Sequence, residues 1–227
     1  MKKSVATSFM WQYETRARNK GYTFVIGLDE AGRGPLAGPV VAAAVFLRKP
    51  RFTCRIDDSK KLTPRQRERA MDEITRQATW GVGVMSSQVI DQCNIVQATS
   101  YAMSNAVWHL IARLPDKARN RLGFREKVCL LVDGKYFKSD LPFAYQTIVR
   151  GDGQSLSIAC ASIIAKVVRD RFLGIYQDVF PGYDFSFHKG YPTARHCRSL
   201  QALGPSPIHR RTFRYKIHDT ASKNISG

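Results

Sequence analysis

The chain alternates between compact apolar runs and stretches of helical periodicity, with little in between. Tyr22 to Leu28 is an apolar run rich in aromatic and β-branched residues, which predicts a buried strand running directly into Asp29-Glu30 and a glycine-rich turn, Ala31 to Pro39. Val40 to Leu47 predicts a second strand and Gly81 to Met85 a third, and the tight links between them imply an antiparallel meander. Before the third strand, Pro64 to Thr79 predicts a helix that Thr63 can cap, with Pro64 at its first position. Ala98, Ala102, Met103, Ala106, Val107, Leu110, Ile111 and Leu114 recur at helical spacing, so Ile95 to Leu114 is expected to be a core-facing helix.

Val128 to Val132 is continuously apolar and stops at Asp133-Gly134, the pattern of a central strand covered on both faces. A short strand fits Ala144 to Val149, a long helix Ser155 to Val179, and a further helix Thr193 to Leu203 beyond the aromatic loop Pro181 to Pro192. No repeat or low-complexity linker interrupts this order. The expected layout is therefore a basic segment at 1–21, one α/β domain over 22–213 that ends in a helical part, and a basic tail at 214–227.

Charge narrows the function. The 227 residues carry 36 Lys and Arg against 18 Asp and Glu, a formal +18, as in chains that meet polyanions. Nucleic acid is the first expectation, and a basic surface kept for solubility is the alternative. The apolar runs are too short to span a membrane and the N-terminal stretch lacks the apolar segment of a secretory signal. Five scattered cysteines without a C-x-x-C pair suit a reducing compartment, so the cytoplasm is expected. No feature signals an oligomer, and a monomer is the default.

The candidate chemistry lies in Asp29, Glu30, Asp133 and Asp152, each at or just past the end of an apolar strand and beside glycine. Several carboxylates converging in such places imply a divalent cation more readily than mutual repulsion, and oxygen-only ligands favour Mg²⁺ or Mn²⁺ over zinc. Taken singly, each is better explained by a turn at a strand terminus. Side chains alternate along a strand, so Asp29 and Glu30 are expected to share a site only if the backbone breaks strand geometry between them. Asp170, four residues after Lys166 in the long helix, reads as an ion-pair partner rather than a ligand.

Six segments in order carry a family resemblance: GLDEAGRGPLAGPVVAAAV at 27–45, DDSKKL at 57–62, LLVDG at 130–134, GDGQSLSIACASIIAKVVRD at 151–170, HKGYPT at 188–193 and GPSPIHRRTF at 204–213. The chain resembles the ribonuclease HII family, and Arg33-Gly34-Pro35-Leu36 follows its pattern rather than that of the related HIII branch. The resemblance implies a ribonuclease H-like fold: a mixed five-stranded sheet, antiparallel at first, with helices on both sides. It also implies two-metal hydrolysis of RNA in RNA/DNA hybrids and incision at ribonucleotides embedded in duplex DNA, leaving 5′-phosphate and 3′-hydroxyl ends.

By that resemblance Asp29, Glu30, Asp133 and Asp152 hold the metal. Gly32, Arg33 and Gly34 sense the 2′-hydroxyl through their backbone, and Tyr191 stacks on a sugar at the RNA-to-DNA junction. Lys60, Lys61, Lys189, His209, Arg210 and Arg211 are the expected phosphate contacts. Trp11, Trp80 and Trp108 read as packing residues, and His109, His188, His196 and His218 lack metal-ligand spacing. LLVDG departs from the family pattern by continuing as Lys135-Tyr136-Phe137. The rival readings are a non-catalytic nucleic-acid-binding module, which leaves four acidic residues in a basic protein unexplained, and a nuclease of the same fold with another substrate.

Overall fold

A computed structural model describes residues 10–214; the expectations for 1–9, for the tail past Arg214 and for His218 lie outside them. Five strands form one mixed sheet, β1 Phe24–Ala31, β2 Val40–Leu47, β3 Ala78–Met85, β4 Val128–Asp133 and β5 Ala144–Ile148, in the order β3-β2-β1-β4-β5. β1, β2 and β3 pair antiparallel, as their tight links require, whereas β4 and β5 add in parallel to β1. This is the mixed α/β architecture expected from the sequence.

The helices are α1 Gln12–Asn19, α2 Pro64–Gln77, α3 Ser87–Cys93, α4 Ile95–Ala112, α5 Asp116–Arg119, α6 Leu156–Val179, α7 Phe185–His188 and α8 Ala194–Leu203. Helix α4 covers one face of the sheet, packing on Ile26, Leu28, Ala42, Ala44, Leu130 and Val132. Helices α2 and α6 cover the other, on Ala43, Val45 and Leu47. Glycine sets how close the layers come: a Cβ on Gly27 would lie 2.2 Å from the Ser157 carbonyl carbon, and one on Gly83 2.0 Å from the Ala102 oxygen. Backbone therefore rests on backbone where α6 crosses β1 and α4 crosses β3.

Three boundaries differ from the sequence expectation. Strand β3 starts at Ala78, because Ala78, Thr79 and Trp80 pair with Leu47, Phe46 and Val45, and this ladder ends α2 at Gln77. At its other end α2 starts as expected, with the Thr63 and Gln66 capping box. Strand β1 continues through Asp29 and Glu30 to Ala31 instead of ending at Leu28. Residues 10–21, assigned to the leading basic segment, form α1 and dock: the fully buried Glu14 carboxylate accepts hydrogen bonds from Ser155 Oγ (2.6 Å), Ser157 N (2.9 Å) and Ser157 Oγ (2.7 Å) at the N-terminus of α6. No helix of the described residues is long and apolar enough to cross a membrane, and all five cysteines carry free thiols.

Candidate active site

The fold brings three of the four predicted carboxylates together. Asp29 lies near the end of β1, Asp133 ends the adjacent parallel β4, and Asp152 sits in the tight turn Gly151–Gly153 that links β5 to α6. Their carboxylate oxygens lie within 4.8 Å of one another. The turn is tied directly to its neighbour, since Gly151 N donates to Asp133 Oδ1 at 2.6 Å.

Glu30 is not one of the three, but it lines the same cleft of about 310 Å³ as Asp29 and Asp133. The expectation that strand geometry must break between Asp29 and Glu30 is corrected here. β1 stays paired with β2 through Ala31, while its pairing with β4 stops at Leu28 and Val132. The last residues of β1 therefore border a notch in the sheet, which side chains from either face can enter. Glu30 pairs there with Arg33 at 3.3 Å.

The electrostatics favour a cation. Burial, then the Glu30 and Asp133 carboxylates, push the Asp29 carboxyl well above the usual range, against the neighbouring Ser162 hydroxyl and the hydrogen bond from the Glu30 N–H at 2.7 Å. Asp152 is raised by burial and then by Asp133 and Asp58, opposed by Lys60. Glu30 is raised by burial and Asp133 despite Arg33. Burial works against the charge of Lys60, yet Asp58, Asp152, Asp29 and Asp133 together raise its pKa. Carboxylates that lift one another's pKa in this way form a donor set that a divalent ion would relieve, and oxygen-only donors match Mg²⁺ or Mn²⁺.

The Gly-Arg-Gly loop is braced from behind by two buried arginines. Arg169 donates to the carbonyls of Pro39 (3.0 Å), Ala37 (3.1 Å) and Lys189 (3.0 Å). Arg210 donates to those of Gly32 (2.6 Å), Arg33 (3.0 Å) and Gly38 (2.9 Å). In a trans peptide the N–H points opposite to the carbonyl. Drawing the Gly32 and Arg33 carbonyls into the protein therefore turns the N–H groups of Arg33 and Gly34 outward. Neither N–H has a hydrogen-bond partner among the described residues. Gly32 adopts φ +99°, and a Cβ there would meet Arg169 Nε at 2.1 Å. Tyr191 lines the same cleft, 43% exposed and next to Gly34.

Other expectations sort differently. Lys60 lines the cleft, whereas Lys61 pairs with Asp57 at 3.3 Å. Arg211 is exposed, its N–H given to Asp91, and the Lys189 carbonyl accepts from Arg169. His209 and Arg210, expected to meet phosphates, are buried at 6% and 3% exposure with their polar atoms engaged inside the protein, so they support the loops instead of reaching substrate. Asp170 pairs with Lys166 at 2.8 Å, as the helical spacing indicates. Trp108, read as a packing residue, is 47% exposed and packs on Phe143 at 5.5 Å between ring centroids. Ser59, Ser162, Lys166 and Arg169 also line the cleft and were not singled out as site residues. Ser162, Lys166 and Arg169 recur at intervals of four and three in the otherwise apolar stretch Ile158 to Arg169 of α6, a polar stripe legible in the sequence.

Known structures define the class first. The chain is similar to the ribonuclease H2 of Pyrococcus horikoshii OT3, with a TM-score of 0.63, 23% identity, and 84% of this chain and 94% of that one covered. It is also similar to the RNase HII of Archaeoglobus fulgidus, solved in a complex with PCNA, with a TM-score of 0.63, 20% identity, and 85% and 96% covered. At these identities the likeness establishes the ribonuclease H2 fold. Sequence relatives are nearer. The Ribonuclease HII of Geobacter sulfurreducens is 50% identical over 206 residues (90% of this chain, 88% of that protein). That of Caldicellulosiruptor bescii is 45% identical over 204 residues (89% and 92%). The profile of the family Ribonuclease HII matches residues 26–216. The chain belongs to the ribonuclease HII family, and so is an endoribonuclease acting on RNA/DNA hybrids.

Proposed function

We propose that this enzyme hydrolyses the RNA strand of hybrids and also incises at ribonucleotides embedded in duplex DNA, by two-metal-ion phosphodiester hydrolysis that leaves 5′-phosphate and 3′-hydroxyl ends. The observation that carries the reading is the convergence of Asp29, Asp133 and Asp152 within 4.8 Å, beside the outward N–H groups of Arg33 and Gly34. In this reading Asp29, Glu30, Asp133 and Asp152 would hold the ions. Held by these carboxylates, divalent ions would supply an activated water and would neutralise charge on the attacking and leaving oxygens.

The chain's own groups do the rest. The Glu30 N–H fixes the Asp29 carboxylate, and Gly151 N fixes that of Asp133. Lys60 carries positive charge into the cleft and attracts the scissile strand. The N–H groups of Arg33 and Gly34 offer donors to a 2′-hydroxyl, which a deoxyribose lacks, so discrimination follows from an unfilled hydrogen bond on DNA. Tyr191 gives an aromatic face to the neighbouring sugar. Arg33, held near Glu30 but half exposed, contacts phosphate.

The test is cleavage of a labelled duplex with one ribonucleotide in a DNA strand, with Mg²⁺, Mn²⁺ or chelator, beside an all-DNA control. Metal-dependent incision on the 5′ side of the ribonucleotide with the control intact is expected. Cutting of the all-DNA control would refute the proposed specificity.

A further inference from the structure

We propose that His209 and His196 form a hydrogen-bond relay of fixed direction that positions Tyr191 for substrate. The proposal rests on the reading that Tyr191 meets the substrate sugar. The direction of the relay follows from one backbone group. Ser206 N–H and the Ser206 hydroxyl lie 2.9 and 2.8 Å from His209 Nδ1; the backbone N–H can only donate, so that nitrogen bears a lone pair, the hydroxyl also donates to it, and the ring proton is on Nε2. His209 Nε2 lies 2.9 Å from His196 Nε2, which must accept. The His196 proton is then on Nδ1, 3.0 Å from the Tyr191 carbonyl, to which it donates. That carbonyl also accepts from Thr193 N at 2.8 Å, which uses both its lone pairs.

His188 grips the other side of the tyrosine. Its ring stacks on His196 with centroids 4.1 Å apart, its Nδ1 accepts from Gly190 N at 3.1 Å, and its Nε2 donates to the Tyr183 carbonyl at 2.6 Å. The Gly190 N–H and the Tyr191 carbonyl, on either side of Tyr191, are thus both held by imidazoles of defined tautomer. This segment lies between α7 and α8, outside any helix or strand, so these bonds and the Leu36 N–H to the Gly190 carbonyl (2.8 Å) place its backbone.

A second proton on any of the three rings would set N–H against N–H: at Ser206 for His209, at His209 for His196, at Gly190 for His188. The surroundings oppose it. Phe185 touches all three rings and Tyr183 packs on His209. The charged groups acting on the cluster are Asp184 and Arg195, both felt by His188 and paired with each other at 2.7 Å. Burial, joined by the neighbouring imidazoles, pushes His196 and His209 down to about 4. The relay is therefore neutral, with its direction fixed, near neutral pH.

The direct test is ¹⁵N NMR of the histidine rings in the whole protein. His209 and His188 are expected as Nε2–H tautomers and His196 as Nδ1–H at neutral pH, with those of His196 and His209 unchanged down to about pH 5. The opposite tautomer at His196 or His209 overturns the relay. The functional test measures kcat and KM on the single-ribonucleotide duplex for His209→Leu, which has no polar atom, and His209→Gln, whose amide N–H can replace Nε2–H. Tyr191→Ala is the reference.

His209→Leu should lower kcat/KM by about tenfold or more, the scale of a misplaced contact. It should add nothing further in the Tyr191→Ala background, and His209→Gln should recover most of the loss. A folded His209→Leu with unchanged kcat/KM, or one whose loss adds fully to that of Tyr191→Ala, overturns the positioning role. If Tyr191→Ala itself leaves cleavage unchanged while the NMR tautomers are as assigned, the role of Tyr191 in substrate binding is what fails, and positioning for substrate falls with it. If His209→Leu does not fold, the wild-type tautomers and His209→Gln, expected to retain cleavage, decide the matter.

Discussion

Asp133→Asn should make the metal-free protein more stable while abolishing its activity. The substitution keeps the shape of the side chain, and the Asn Oδ1 can still accept the Gly151 N–H that now lies 2.6 Å from Asp133 Oδ1. What it removes is charge. Two carboxylates no more than 4.8 Å apart repel by at least about 3.5 kcal/mol at an effective dielectric constant of about 20. Solvent at the open cleft, Lys60, and partial protonation of Asp29 and Asp152 reduce this, leaving a gain of about 1–3 kcal/mol. For a domain of this size that raises Tm by about 2–4 °C per kcal/mol.

The assay is thermal melting of both proteins in chelator and then with Mg²⁺ or Mn²⁺, alongside cleavage of a hybrid. The variant should melt higher in chelator, gain little from metal, and cleave at least about 10²-fold more slowly. The sign of the pH dependence adds a check. Asp29, Glu30 and Asp152 have raised pKa values, so the stability they contribute is present at acid pH and lost as pH rises through their folded-state values. The advantage of the variant in chelator should therefore widen with pH. If it melts with or below the wild type in chelator, or if metal stabilises both equally, the account of these carboxylates as a frustrated cation site is wrong.

Arg169→Met leaves the carbonyls of Ala37, Pro39 and Lys189 without their donor and should cost about 2–4 kcal/mol in urea unfolding; a change below about 0.5 kcal/mol would contradict the bracing role. Glu14→Ala removes the acceptor for Ser155 and Ser157 and should destabilise by a similar amount, with α1 amides becoming fast in hydrogen exchange; unchanged protection would mean that α1 docks by other contacts. His196 and His209 are held down to about 4 against an ordinary value near 6.5. Their contribution is full above about pH 6.5 and is lost as pH falls toward 4, by of order 3 kcal/mol for one ring. With metal bound, wild-type stability should fall over that window more steeply than that of His209→Gln, and parallel curves would refute it. Gly83→Ala places a Cβ 2.0 Å from the Ala102 oxygen and should lower Tm by forcing α4 off β3, which a melting curve shows directly.

The sequence by itself determined the elements and most of the chemistry. Apolar runs of strand length, the helical spacing of the Ala98 to Leu114 positions and the Thr63 cap are local signals, and they fix type and order because burial and hydrogen bonding act within a few residues. Asp29, Asp133 and Asp152 stood out because a carboxylate beside glycine at the end of an apolar strand is costly without a purpose. Boundaries set by pairing were not legible: β3 reclaimed Ala78 and Thr79 from a helix pattern because β2 offered a complete ladder.

Tertiary structure alone decided whether Glu30 shares the cleft with Asp29, since that depends on where β4 stops beside β1 and not on the alternation within one strand. It also decided the roles of the basic residues. Sequence reports charge but not burial, so Lys60 and Arg210 read alike as phosphate contacts until the fold put one in the cleft and the other beneath the loop that lines it. The same holds for Glu14, His196 and Arg169, whose partners lie 141, 13 and up to 132 residues away. Such a hydrogen bond exists only once the folded chain has brought its two ends together.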